Sequence, residues 1–176
     1  MRYSLKDIFL GVFKTAILLV FLEIFCSAIL PAFGILEFKP AFNVLIILFL
    51  AFKLEAPFLP FLILFFQYIH SAFSVEGWAS GTLAGVIIAM SVKYVKDMLN
   101  FSTAISTIVV VQIFQIAWFI LIAFILSLKL GDFSNFFSIF IKYLPESFFL
   151  SLISHHFFKL LDNFWKVGKS SHGVRY

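Results

Sequence analysis

Lys14 and Glu23 lie inside one long apolar run of this chain, and Gln67, His70, Gln112 and Gln115 lie inside two others. In hydrocarbon such side chains have few alternatives: they relay protons, hold ligands or bind helices together. Lys14 and Glu23 are two and a half turns apart, too far for a direct pair on one helix. Lys14 can extend its ammonium toward the nearer interface. Glu23 is then the first candidate for a functional intramembrane charge, set against a carboxyl at the interface or kept protonated. Gln67 and His70 share one helical face, as do Gln112 and Gln115. Gln112 is expected to pair with Gln67 across the bundle. That contact would be an internal cross-link or part of a polar seam for a ligand or partner helix.

Other residues suggest chemistry that their spacing does not support. His155 and His156 are adjacent, so on a helix they point about 100° apart and do not chelate one metal. Ser80, in "WASG", could be matched with either histidine as an intramembrane protease dyad. The rhomboid pattern places a glycine two residues before its serine, and Trp78 and Ala79 precede Ser80 here. There is no phosphate loop, acid pair or nucleotide fingerprint. The expectation is a chain with no catalytic residue, metal or cofactor.

The elements that position these residues follow from composition. Of 176 residues 62% are hydrophobic and 12% charged, with 27 phenylalanines and a mean hydropathy of +1.08. A water-soluble domain carries about a quarter charged residues, so the class is all-α integral membrane protein. One membrane domain, 1–167, is expected, with a polar basic tail, 168–176. The first apolar run is long enough to be a retained span rather than a signal peptide. Cys26 has no second cysteine to pair with and reads as a small apolar side chain. No basic patch with interleaved aromatics is present, which excludes nucleic acid as a partner.

About six spans are expected. The first runs from about Ile8 to Leu30 and stops at Pro31. The second follows Pro40 and ends at Lys53. "APFLPFLILFFQYIHSAF" is the third, Trp78 to Val95 the fourth and Phe101 to Leu128 the fifth. "FFSIFIKY" is expected as a separate interfacial helix, and the last span as Pro145 to Trp165. Six spans place both termini on one side. With that side cytoplasmic, the inner segments hold Arg2, Lys6, Lys53, Lys93, Lys96, Lys159, Lys166, Lys169 and Arg175. The outer segments hold Lys39, Lys129 and Lys142, which agrees with the positive-inside bias.

In the fourth span Gly77, Gly81, Gly85 and Ala89 fall four apart. Lipid tails are as apolar as leucine, so membrane helices associate where small residues let backbones approach. The four residues therefore predict a groove, filled by an internal helix or by a partner's.

The order of features resembles the MreD family of the bacterial rod-shape system. The resemblance is carried by "KPAFNVLIILFLAF", by "FFQYIHSAFSVEGWASGTLAG", by "VKYVKDMLNFSTAISTIVVVQIFQIAWFIL" and by "LPESFFLSLISHHFFKLLDNFW". Family members often carry an acidic residue flanked by glycines where the third span ends; Gln67 after "FLILFF" stands there instead. The resemblance implies a non-catalytic protein of the bacterial inner membrane. Its implied partners are the bitopic protein MreC, the MreB filament, and a RodA-type glycosyltransferase with its penicillin-binding transpeptidase. It also implies a fold similar to the six-helix substrate-binding subunits of energy-coupling-factor transporters. That fold supplies the alternative, a subunit binding a vitamin-like molecule. A wet polar pocket would favour this alternative, whereas a centre plugged with phenylalanine would oppose it. The alanine-xxx-alanine contact of such subunits is missing from "FKTAILLVFLEIFCSA".

Overall fold

The computed structural model describes residues 5–33, 38–54, 57–74, 77–95 and 103–165, and among these every regular element is helical. Helix α1, Leu5–Ile24, continues through a π turn, Phe25–Ile29, into a last turn, Leu30–Ala32. The helix ends at Ala32, one residue past the expected stop at Pro31. In a regular α-turn the Pro31 ring would press on the carbonyl of Ser27. The wider π turn lies at that place, closed by Leu30 N–H donating to the Phe25 carbonyl.

Helices α2, Phe42–Lys53, and α3, Leu59–Ser71, follow, the latter with Pro60 in its first turn where no N–H is needed. Helix α4 spans Trp78–Val95 and α5 spans Ala104–Leu130. Thr103 caps α5, its hydroxyl accepting from Ser106 N–H, and Gly131 ends it in the left-handed region at φ 68°. A 3-10 turn, Phe133–Asn135, leads into α6, Phe136–Trp165. Hydrogen bonds from Ser134 to Asp132 fix this turn and hold the Asp132 carboxyl below its ordinary value. The expected separate interfacial helix is corrected here: "FFSIFIKY" and the final segment form one helix that passes through Pro145. The proline removes one backbone donor there without ending the helix. The expected tail, 168–176, lies outside the described residues.

Among the described residues four helices are long and apolar enough to cross a membrane: Lys6–Ala32, α4, α5 and Phe133–Trp165. Helices α2 and α3 have 12 and 13 residues. At about 1.5 Å per residue they reach about 18–20 Å, short of a core about 30 Å thick.

The short α2 is the centre of the molecule. Every residue from Phe42 to Ala51 is buried, and α2 touches each of the other five helices. Successive helices alternate in direction. Lys53 therefore meets Asp162 at the end of the bundle where α1 starts and α6 finishes (the terminal face), and Lys129 meets Ser80 at the opposite, distal face. On α1 the buried residues are Gly11, Thr15, Leu19, Glu23 and Cys26, a stripe at helical spacing. Phe9, Phe13, Ile17 and Phe21 on the other side are exposed, as lipid-facing residues are.

Candidate functional site

The inward stripe of α1 carries Glu23 to the distal half of the bundle, where it meets His70 of α3. Oε1 and Nδ1 are 2.6 Å apart, and both side chains are under 10% exposed. A buried carboxylate without a partner is strongly unfavourable, and the imidazole offers a hydrogen bond and a compensating charge. Further polar groups gather around the pair. Lys39 Nζ donates to the Phe73 carbonyl just beyond α3, and Lys39 N–H donates to Glu146 Oε1 at 3.3 Å. Glu146, in the turn after Pro145, is buried.

Near this layer lies a half-open cavity of about 630 Å³, lined by Phe38, Ile139, Lys142, Tyr143, Pro145 and Glu146. Tyr143 is held by stacking on Phe119, with ring centroids 4.8 Å apart. A second cavity, about 410 Å³, opens at the terminal face beside Lys53 and His155.

A polar seam joins α5 and α6. Gln112 Nε2 donates to Ser147 Oγ at 2.8 Å, and Ser151 Oγ donates to Gln115 Oε1 at 3.3 Å. The expected Gln112–Gln67 pair is thus corrected: Gln112 turns to α6. Gln67, fully buried on α3, lies instead against Gly81 of α4, whose added Cβ would fall 2.4 Å from Gln67 Oε1. Ser147, Ser151 and Ser154 form a buried row on α6 that lets α5 approach closely. This row was readable from the small residues four and three apart in "SFFLSLIS". Ser147→Ala is expected to lower stability by about 0.6 kcal/mol, the average for a hydrogen bond between membrane helices. Ser147→Leu, which also forces the helices apart, should lose several-fold more. Thermal unfolding in detergent measures both.

The glycines divide. Gly81 faces Gln67, and Gly85 faces Ile63 of α3 and Trp118 of α5. Ala89 is buried on the same helix. At Gly81 and Gly85 the chain's own helices fill the groove, so no partner helix can seat there without displacing them. Gly77 is not part of the groove: it precedes α4 at φ +77° with nothing near its missing side chain.

Ser80 and the two histidines are not brought together. Ser80 Oγ accepts from Lys129 at the distal face, whereas His155 lines the terminal cavity and His156 is exposed. Among the described residues no three His, Cys, Asp or Glu side chains are placed to hold a metal ion.

Two features had no counterpart in the sequence reading. Glu23 and His70 sit at matching depth on two helices running the same way, and that matched depth was the available signal. Asn43 is buried in the first turn of α2, and neither amide atom has a hydrogen-bond partner among the described residues. No family model, curated protein or solved structure matches the chain.

Proposed function

We propose that this chain is a non-catalytic scaffold of the bacterial cytoplasmic membrane. It supports rod-shape maintenance and peptidoglycan synthesis through helix contacts with membrane partners. One observation carries the reading: the interior is occupied by α2, apolar along nearly its whole length. A solid bundle of this kind acts through its outer surface. The resemblance over Pro40 to Trp165 supplies the partner class: an MreC-like bitopic protein, a RodA-type glycosyltransferase with its transpeptidase, and through them the MreB filament. In this reading all six helices cross or enter the bilayer and both termini are cytoplasmic, as the lysine and arginine bias supports. Because Gly81 and Gly85 face inward, the partner contacts fall on exposed ridges such as Phe9, Phe13, Ile17 and Phe21 of α1.

Depletion in the native bacterium tests this. Rods should round up, and labelled new wall material should lose its lateral pattern. Normal shape and normal wall labelling after complete depletion would refute the scaffold role.

The distal cavity favours a second reading, a subunit binding a small vitamin-like molecule. Lys142 and Glu146 offer opposite charges beside the aromatic wall of Phe38 and Tyr143. A growth defect that an added vitamin rescues, with cell shape intact, would promote this reading over the first.

A further inference from the structure

The terminal-face cavity has a different chemistry from the distal one. Its inner wall is aromatic: Phe49 and Phe52 of α2 pack on Phe158 of α6, with centroids 5.6 and 6.5 Å apart. Its rim is basic. Lys53 Nζ contacts Asp162 Oδ1 at 2.5 Å, which uses one of its three donors and the cavity's one carboxylate. Lys159 has no ion-pair partner among the described residues, and His155 lies beside it. With His155 neutral the rim is net positive.

Position narrows the ligand. Lys53 is the last residue of α2, Lys159 lies near the end of α6, and Thr107 lies one turn into α5. The rim therefore sits where two membrane-length helices approach the end of the bundle. Phe52 and Phe158 of the wall are half-buried, so apolar surface lies open next to the rim. A ligand here meets cations at one end and an apolar aromatic wall at the other. Basic pockets between membrane helices take anionic headgroups, with each lysine near the surface contributing about 1 kcal/mol.

We propose that this cavity, between α2, α5 and α6, binds the phosphate headgroup of an anionic phospholipid. Lys159 and Lys53 contact the phosphate, His155 donates a hydrogen bond, and the lipid's glycerol end rests on the phenylalanine wall. The scaffold role does not depend on this site, and the site does not depend on that role.

The full chain, purified in neutral detergent and titrated with phosphatidylglycerol or phosphatidylcholine, is read by native mass spectrometry. The wild type should retain phosphatidylglycerol in clear preference. Lys159→Gln should reduce that preference about five-fold, the equivalent of one lysine. Lys159→Arg should keep it, and so should Lys93→Gln, an exposed lysine on α4 outside the cavity. Equal retention of the two lipids, or an unchanged preference in Lys159→Gln, overturns the proposal. Release of the bound lipid by equimolar inorganic phosphate also overturns it, in favour of a soluble phosphate ester.

Discussion

Gly85→Leu is expected to abolish the native bundle or lower its unfolding temperature by about 6 °C or more, the shift for about 3 kcal/mol in a chain of this size. A Cβ alone at this position would fall 2.7 Å from Ile63 Cγ2 and 3.1 Å from the Trp118 ring. Both neighbours are fully buried and have no empty space to retreat into. The leucine's remaining carbons would push α3 and α5 off α4. In lipid that separation also removes the dispersion contacts that hold the helices together. Gly77→Ala is the contrast. It meets no neighbour and carries only the strain of a left-handed backbone, about 1 kcal/mol. Size-exclusion profiles after graded heating separate the two. A Gly85→Leu chain as heat-resistant as wild type would mean that α4 does not pack on α3 and α5 as described.

His70→Ala is expected to lower stability by about 3–5 kcal/mol, because it strands the Glu23 carboxyl in a buried site. Glu23→Gln should do far less, about 1 kcal/mol, since the amide still bonds the imidazole. Combining Glu23→Gln with His70→Ala should recover part of the loss, leaving a coupling well above the few tenths of a kcal/mol found between independent sites. Thermal unfolding of the four chains closes the cycle. Additive effects would show that the 2.6 Å contact contributes no stability of its own.

What could be read from the sequence was what lipid dictates by composition and spacing. The long apolar runs of α1, α4 and α5 lie close to where their hydropathy and end signals put them, and Thr103 and Gly131 bound α5 by ordinary capping chemistry. The α5 glutamines do face another helix. Their partners could not be read, because a glutamine's period names a face and not the neighbour on it. The spacing of Ser147, Ser151 and Ser154 marks a close-packing face, but a serine bonds backbone groups as readily as side chains, so it does not name the glutamines as partners. Pro145 misled for a related reason. A proline is a good first-turn residue and a poor interior one, yet here the helix runs on through it, with Ile141, whose carbonyl loses its donor, on the exposed side. The central place of α2 was also hidden. Apolarity on every side marks a helix surrounded by something apolar, and lipid and protein satisfy that condition equally well.

The shortness of α2 and α3 has unequal consequences for the surrounding lipid. Helix α2 is sheathed by protein, so its length never meets an acyl chain. Helix α3 exposes Phe61, Leu64, Phe65 and Tyr68 along a stretch of about 20 Å, while α6 runs for about 45 Å. If α3 spans a bilayer with the longer helices, as the proposed function has it, the lipid beside it would thin, at a free-energy cost for each ångström of mismatch. That dimple is relieved when another protein with a similarly short apolar belt moves into it. On the proposed scaffold role, the flank of α3 would draw neighbours through the shape of the membrane, before any side chain touches.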